Sequence, residues 1–217
     1  MTKIQITLKV LTKDDAIYSG INRAIIKQLD KKFSIVSRKF TNLIGSYIEK
    51  SITASPEYNE IIYGRLRTEL GIRDPQQQLD GIIKVIQGST TVKATKLQER
   101  SKQIMGKITI KSVLGDFSDV LGSGLGRYTS ERGEDIPWLQ WLLFEGDKSV
   151  VRNYSIKFGF PKYSRTGDAI MSGNIGQGWG VPSQFAGTLG NNFITKAIDA
   201  SIGELEQQMV NTFKQGI

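Results

Sequence analysis

The chain has 217 residues, 39% of them hydrophobic and 23% charged, which is the composition of a globular protein and not of a disordered chain. Its formal net charge of +8 suggests an acidic partner such as nucleic acid. The sequence contains no cysteine and no histidine, which excludes disulfides, thiolate metal sites, Ser-His-Asp triads and most histidine-dependent acid–base schemes.

A long amphipathic helix is predicted between about Asp15 and Ile52. Its apolar residues recur every three or four positions and form one stripe along the helix. Thr12, with Asp15 three residues later, gives the helix a capped start. Because about 35 residues is long for a helix in a compact domain, the helix either breaks at Gly45 or extends to pack on a neighbouring subunit.

A second helix and two strands are predicted next. Ser55 serves as the N-cap and Pro56 takes the first helical position, where its missing N–H is harmless. The helix ends at Gly71, a residue type that is common at helix C-termini. Strands are predicted over Ile82–Ile86 and over Ile104–Leu114, where polar and apolar residues alternate.

The segment from residue 84 to residue 111 carries most of the excess positive charge. Against a single acid, Glu99, it holds seven basic residues: Lys84, Lys93, Lys96, Arg100, Lys102, Lys107 and Lys111. We interpret it as a basic hairpin or arm. Either its basic residues form a solvated hairpin face, or they form an electrostatic surface that contacts phosphates without reading bases. Aromatic residues, which stack on single-stranded bases, are missing from this segment.

A short helix, two strands and a C-terminal helix are predicted in the rest of the chain. A short helix is predicted within Asp135–Gly146, which offers an N-cap, a proline in the first turn and a closing glycine. Strands are predicted over Val150–Phe158 and Gly178–Val181, and the glycine-rich stretch Gly173–Gly180 is interpreted as a turn between strands. An apolar stripe over Phe193–Phe213 predicts a C-terminal helix.

This order of elements predicts an α+β fold, because helices flank short strands without any regular βαβ alternation. We expect a single domain over residues 1–217. In it, a small antiparallel sheet is flanked by a long N-terminal helix, a short central helix and a C-terminal helix. Residues 1–75 are expected to form a mainly helical N-terminal part.

Three aromatic residues of the short central helix, Trp138, Trp141 and Phe144, lie close to one helix face. Such residues are either core anchors or an interface patch, since aromatic side chains are enriched at the energetic centres of interfaces.

No constellation of residues predicts catalysis or cofactor binding. The glycine-rich stretch Gly122–Arg127 lacks the Gly-Lys-Ser/Thr ending of a phosphate-binding loop. The acidic pair Glu134 and Asp135 lies where a helix is expected to begin, and carboxylates there stabilise the positive end of the helix dipole. We therefore expect no catalytic residue, no cofactor and no metal site, and we do not expect an enzyme.

Three short motifs in the C-terminal third resemble a pattern of the tailed-phage head-to-tail joining family, which includes neck, tail-completion and tail-terminator-like proteins. The first is the Arg-Thr-Gly turn, the second a Phe-Gly-Thr-like element with one extra residue, and the third a terminal helix that begins with a phenylalanine. We call the residues that carry the resemblance the assembly motif: Arg165, Thr166, Gly167, Phe185, Gly187, Thr188 and Phe193.

The resemblance implies a structural virion protein that forms a homo-oligomeric ring at the head-tail junction, through which DNA passes. The expected partners are further copies of the chain, portal, adaptor or other neck proteins, and tail tube or sheath proteins, with non-specific proximity to DNA and no membrane. Such a ring is assembled in the host cytoplasm. Within the chain, Arg-Thr-Gly is expected to form a tight turn with glycine at positive φ, while Phe185 and Phe193 fill the core.

A second hypothesis rests on charge alone. The chain could be a sequence-independent nucleic-acid-binding protein, which would contact phosphates through the basic residues of the 84–111 segment. Salt-dependent DNA affinity of the isolated chain favours this second hypothesis, whereas ring formation with neck components favours the first.

Overall fold

The computed structural model describes residues 2–9, 15–100, 103–113, 115–130, 133–159 and 161–215, with side chains described from residue 18 onward except at 161, 209 and 212–215. The fold is α+β, as predicted. Its elements are β1 (Thr2–Lys9), α1 (Asp15–Thr53), α2 (Pro56–Tyr63), α3 (Arg65–Glu69), α4 (Pro75–Ser89), β2 (Thr91–Ala94), β3 (Gln98–Arg100), β4 (Gln103–Lys111), α5 (Ser118–Gly122), β5 (Tyr128–Thr129), β6 (Asp135–Ile136), α6 (Trp138–Phe144), β7 (Val151–Phe158), β8 (Ala169–Trp179) and α7 (Phe193–Gln215).

Contacts within the chain divide it into two compact units. Unit 1 comprises Met1–Tyr47, Ser89–Ser112 and Ser201–Ile217, and unit 2 comprises Ile48–Gly88 and Val113–Ala200. Helices α1 and α7 each contribute residues to both units. The expectation of a single domain stays a prediction, because contact clusters do not establish which parts fold independently.

The long N-terminal helix is confirmed, and it continues through Gly45 without a break. In unit 1 its buried residues include Phe33, Val36, Phe40 and Ile44, which follow the predicted spacing of three and four. The proposed cap at Thr12 lies outside the described residues.

A four-stranded antiparallel sheet forms the other layer of unit 1. Strand β4 is central, with β1 along one edge and β2 and β3 along the other. Its even-numbered residues, from Ile104 to Ile110, are buried and its odd-numbered residues are more open. A Cβ added at Gly106 would lie 3.2 Å from Phe33 Cζ, so glycine lets α1 pack closely against the sheet. The predicted strand at Ile104 is therefore confirmed, although Leu114 lies outside the described residues.

Strand β1 was not predicted. It pairs with β4 along its whole length, from Thr2 opposite Ile110 to Lys9 opposite Gln103. The alternation of Ile4, Ile6 and Leu8 with polar residues was a usable signal for a strand at this position.

The second predicted helix is present as two consecutive helices in unit 2. Ser55 caps α2 as predicted, since its Oγ accepts a hydrogen bond from the Tyr58 N–H at 3.1 Å. The chain then breaks at Gly64, where the Glu60 carboxylate reaches across to accept from the Arg65 N–H at 3.2 Å and so caps α3. Gly71 follows with a φ of 69°, as expected of a terminating glycine.

The predicted strand over Ile82–Ile86 is wrong, because these residues belong to helix α4. Pro75 occupies the start of this helix. Its buried residues are Leu79, Ile82, Ile83 and Ile86, which are spaced as on one face of a helix. A short apolar run does not distinguish strand from helix, and here the stripe begins before the run.

The short central helix is present, but it begins later than predicted. Asp135 lies in β6 and is not an N-cap, because α6 starts at Trp138 without a side-chain cap. The Asp135 carboxylate instead lies 3.4 Å from the Arg127 guanidinium, a partly exposed ion pair between neighbouring short strands. Gly146 closes the segment with a φ of 60°.

A second antiparallel pair, β7 and β8, forms a long hairpin in unit 2. The prediction over Val150–Phe158 is confirmed by β7, whereas the partner strand runs over Ala169–Trp179 and includes only the start of the predicted Gly178–Val181. Gly173–Gly180 is therefore mostly strand and not a turn. The described residues between the two strands are 159 and 161–168, and they contain the Arg-Thr-Gly motif.

The C-terminal helix α7 is confirmed, and its first turn is capped reciprocally. The Asn192 Oδ1 accepts hydrogen bonds from the N–H groups of Ile194 and Thr195 at 3.1 and 3.0 Å. In return, the Asn192 N–H donates to the Thr195 Oγ1 at 2.9 Å. The buried stripe begins with Phe193 and Ala197 and continues along the helix; the side chains at 209 and 213 lie outside the described ones.

Candidate functional site

The two units differ sharply in charge. Unit 1 has 16 lysine and arginine residues against 6 acidic residues, a net charge of +10, whereas unit 2 has 13 against 15, a net charge of −2. The entire excess of +8 therefore belongs to unit 1. An anionic partner attracted by this charge would meet unit 1 first.

Four of the predicted basic residues share one face of the unit 1 sheet. Lys107 and Lys111 lie at odd positions of β4, on the face opposite the buried residues. Lys93 pairs with Thr109 between them, and Arg100 pairs with Gln103. Directly paired residues project to the same side of a sheet. We call this set, Lys93, Arg100, Lys107 and Lys111, the basic sheet face.

The only acid of the 84–111 segment is kept away from the basic sheet face. Glu99 pairs with Ile104 and so lies on the side of the sheet that faces α1. There its Oε1 accepts a hydrogen bond at 2.8 Å from the Nδ2 of Asn22, which is fully buried. The segregation leaves the basic sheet face without an acidic residue in the part of the 84–111 segment that the structure describes.

The other basic residues of the segment do not join this face. Lys84 lies on α4 in unit 2, so the predicted basic hairpin does not begin at residue 84. The cause is the helical stripe of α4, which continues to Ser89. Lys96 is exposed in the connection between β2 and β3. Lys102 lies outside the described residues.

Arg165 of the assembly motif is anchored to another part of unit 2. Its guanidinium lies 3.9 Å from the centre of the Tyr128 ring and donates a hydrogen bond to the Thr129 carbonyl at 3.1 Å. The Tyr128 hydroxyl in turn donates to the Leu70 carbonyl at 3.1 Å. Burial raises the pKa of Tyr128, and the nearby Arg165 charge opposes that rise. This chain of contacts fixes the hairpin turn to β5 and to the end of α3.

The rest of the Arg-Thr-Gly turn is organised by Ser164. Its Oγ accepts hydrogen bonds from the N–H groups of Gly167 and Ala169 at 3.0 and 3.1 Å, and contacts the Thr166 Oγ1 at 3.3 Å. Gly167 has a φ of 90°, which confirms the predicted positive φ and explains the glycine. Thr166 and Gly167 thus serve the local turn.

Gly187 of the second motif lies directly against the end of α6. Its N–H donates to the Leu142 carbonyl at 3.0 Å, and its carbonyl accepts from the Gly146 N–H at 2.9 Å. A Cβ here would lie 2.7 Å from both the Leu142 carbonyl oxygen and the Asn192 Cβ. Thr188 follows and exchanges two backbone hydrogen bonds of 3.0 Å with Asn191 in a tight turn that leads into α7.

The two phenylalanines of the assembly motif differ in burial. Phe193 is 2% exposed at the start of α7, as expected of a core residue. Phe185 is only half-buried, so its predicted role as a core residue is met in part. Its backbone N–H donates to the Pro182 carbonyl at 2.8 Å, which places it in a turn before Gly187.

The three aromatic residues of α6 differ in burial, and the interface interpretation stays a prediction. Trp138 is fully buried, in agreement with the core interpretation. Trp141 and Phe144 are half-buried, and each has an aromatic partner: Trp179 at 6.1 Å from Trp141 and Phe117 at 5.6 Å from Phe144, between ring centres.

Glu69 is a partly buried acid of unit 2 that contacts an aromatic side chain. Its Oε2 accepts a hydrogen bond from the Trp179 indole N–H at 3.4 Å. Burial raises the pKa of Glu69, while the hydrogen bond and the Arg65 charge act in the opposite direction. The contact ties α3 to the end of β8.

No other arrangement in the described part of the chain offers an obvious chemical centre. Within the described ranges, no group of three or more acidic side chains is placed to hold a metal ion. None of the described helices is long and apolar enough to cross a membrane. Comparison with protein-family models, curated proteins and solved structures finds no match to this chain.

Sequence reasoning missed two structural residues of this region, Ser164 and Tyr128. Ser164 directly precedes the Arg-Thr-Gly motif, and serine is a common turn residue because its hydroxyl bonds to nearby backbone groups. Tyr128 carries no comparable signal, since it lies 37 positions before Arg165 and only the fold brings the two together.

Proposed function

We propose that this chain is a structural virion protein of a tailed phage that forms a homo-oligomeric ring at the head-tail junction, in the neck or at the tail's upper end. The ring lets DNA pass and contacts portal, adaptor or other neck proteins on one side and tail tube or sheath proteins on the other. The chain is assembled into the virion in the host cytoplasm, and no enzymatic activity is proposed.

The observation that carries this proposal is the use of the assembly motif. Arg165 stacks on Tyr128, Gly167 closes the hairpin turn, and Gly187 contacts the end of α6 where no side chain fits. These residues hold loops in place and present no converging acid, base or nucleophile. Such a role agrees with a scaffold that displays surfaces to neighbours, as the family resemblance implies.

The β7–β8 hairpin supplies a surface suited to a subunit contact. One face of the hairpin carries three apolar side chains that are 38%, 46% and 39% exposed: Tyr154, Phe158 and Met171. They share this face because Tyr154 pairs with Gly173, Phe158 pairs with Ala169, and Met171 lies two residues from each of these partners. A two-stranded sheet is marginal in water on its own, and packing of its apolar face stabilises it. Repetition of such a contact with a different patch of the next copy closes a ring.

Two neighbouring residues of β8 allow a matched test of this contact. Met171 lies on the apolar face, whereas Ser172 lies on the opposite face. Met171→Glu should shift the purified protein, mixed with its neck neighbours, from rings to single chains in mass photometry. Ser172→Glu adds the same charge and should leave the rings intact. A wild-type chain that stays monomeric with every neck component would contradict the proposal.

Sequence-independent nucleic-acid binding remains the second candidate. The observation that favours it is the basic sheet face, from which Glu99 is segregated. Filter-binding of a random duplex by the isolated chain at several salt concentrations tests it. A strongly salt-dependent affinity without ring formation favours this candidate over the first.

A further inference from the structure

Helix α1 carries a second basic surface, which is separate from the basic sheet face. Arg23, Lys27, Lys31 and Arg38 are all exposed. At about 100° per residue, they fall within an arc of about 80° on one side of the helix. From the first to the last, the row extends over about 22 Å at 1.5 Å per residue. We call this row the α1 ridge; it lines an open depression on unit 1 that also includes Ser34.

The charges of the α1 ridge are not neutralised within the described part of the chain. No ion pair joins any of the four to an acidic residue there. Asp30, the acid nearest in sequence, lines the same depression, and its Oδ1 accepts a hydrogen bond from the Leu97 N–H at 3.2 Å. One carboxylate therefore faces four basic side chains, which leaves an excess of positive charge. The ridge therefore presents four cations in a single row, none of them in an ion pair with an acidic side chain that the structure describes.

Such a row is unfavourable for the helix itself. Arg23 and Lys27, and Lys27 and Lys31, are four residues apart, and like charges at this spacing repel each other. A structural role does not explain the arrangement, because the buried stripe of α1 lies on another side of the helix. An anionic partner that lies along the helix explains it.

The composition of the ridge favours a nucleic-acid backbone over a protein. Protein interfaces are depleted in lysine at their centres and enriched in aromatic residues. The depression has two lysines among its four ridge residues and no aromatic residue in its lining, which is completed by Ile26, Asp30, Ser34 and Ile35. Single-strand sites add stacking rings, which are missing here. We infer that the α1 ridge binds the phosphate backbone of duplex DNA without reading its sequence.

This inference takes from the proposed function only that DNA lies near the chain. The binding itself is a property of the isolated chain and can be measured without ring formation. Ring formation is tested separately by Met171→Glu, so the two can fail independently. The basic sheet face provides the matched comparison, because it also offers four basic residues in unit 1.

The test compares two fourfold glutamine variants of the full chain in binding a 30-base-pair random duplex at several salt concentrations. Four phosphate contacts contribute about −3.6 to the slope of log affinity against log salt. The ridge variant should lose that contribution. Its four substitutions are Arg23→Gln, Lys27→Gln, Lys31→Gln and Arg38→Gln. Between 50 and 200 mM salt, the wild-type affinity should thus fall about 100-fold more than that of the variant.

The sheet variant, Lys93, Arg100, Lys107 and Lys111→Gln, removes the same number of charges and distinguishes the ridge from general basicity. A steeper slope in the sheet variant than in the ridge variant supports the inference. An unchanged slope in the ridge variant, or the absence of any duplex binding by the wild type, overturns it.

Chemical footprinting of the wild-type protein gives a second readout that needs no variant. Bound duplex should protect Lys27 and Lys31 from acetylation, measured by mass spectrometry. Lys39 is also exposed but lies about 100° round the helix from Arg38, so it should stay reactive. Equal reactivity of Lys27 and Lys31 with and without DNA overturns the inference, even if the ridge variant fails to fold.

Discussion

Unit 1 and unit 2 differ in net charge and in the kind of contacts that they contain. Unit 1 combines α1, a four-stranded sheet and the C-terminal part of α7, and it presents basic rows on its surface, with a net charge of +10. Unit 2 is nearly neutral and is built around buried aromatic and aliphatic residues, with loops fixed by short contacts. The difference indicates that binding of an anionic partner and stability of the assembly motif can be altered separately. Substitutions in each unit test this separation.

The largest expected effect is loss of the main core residue of unit 2. Trp138→Ala removes a fully buried indole and leaves a cavity, so the free energy of unfolding should fall by about 3–5 kcal/mol. Urea denaturation measures this loss, with Trp138→Phe as a milder control. The salt dependence of DNA binding should not change. If Trp138→Ala stays stable and loses only oligomerisation, the residue acts at an interface and the core assignment is wrong.

Gly187→Ala should have the next largest effect, again in unit 2. The new methyl group would lie 2.7 Å from the Leu142 carbonyl oxygen, and overpacking of this kind destabilises by about 1–3 kcal/mol. Gly190→Ala is the matched control, because nothing lies within 4 Å of its added Cβ, and it should stay within about 0.5 kcal/mol of wild type. Equal thermal unfolding of the two variants would show that Gly187 is not held against α6.

A smaller, pH-dependent effect is expected at Glu69. Burial is the main cause that raises the pKa of Glu69 in the folded protein. The contribution of this side chain to the free energy of unfolding is therefore fully present below its pKa in the unfolded chain, and it is lost as the pH rises through its pKa in the folded protein. Glu69→Gln should therefore stabilise the protein at pH 7, by less than about 1 kcal/mol for a half-exposed group. The gain should vanish below about pH 4. Urea denaturation over a series of pH values measures the trend; a gain that grows towards acid pH would reverse the assigned direction.

The smallest effect on stability is expected in unit 1. Lys27→Gln relieves repulsion with Arg23 and Lys31 and should raise the free energy of unfolding by about 0.2–0.5 kcal/mol. It should also make the salt slope of duplex binding shallower by about 0.9. Lys39 has no charged neighbour three or four positions away, so Lys39→Gln should change neither the stability nor the salt slope. A loss of stability in Lys27→Gln would show that Lys27 serves the fold.

Long periodic elements could be predicted from the sequence, whereas short ones could not. Helix α1 shows its apolar stripe over ten turns, and β4 shows clear alternation, so each pattern has one interpretation. The run Ile82–Ile86 is too short to show its period and was assigned to a strand. The glycines of β8 suggested a turn. Gly173 and Gly178 instead pair with β7, whereas Gly176, with a φ of 85°, lies at a shift of register between them.

The candidate surfaces were only partly predictable, because they depend on pairing. The sequence shows that basic residues are concentrated in the 84–111 segment, yet the separation of Glu99 from them follows from its register opposite Ile104. The positive φ of Gly167 could be predicted from a local turn. The anchoring of Arg165 by Tyr128 could not, since a contact between distant residues leaves no local pattern.

The most direct test of the proposed function is a cryo-electron microscopy map of the assembled virion in which this chain is located. We expect copies of the chain in a closed ring at the head-tail junction, with the basic surfaces of unit 1 towards the DNA. A map that places the chain elsewhere in the particle, or as isolated copies at the junction, would contradict it.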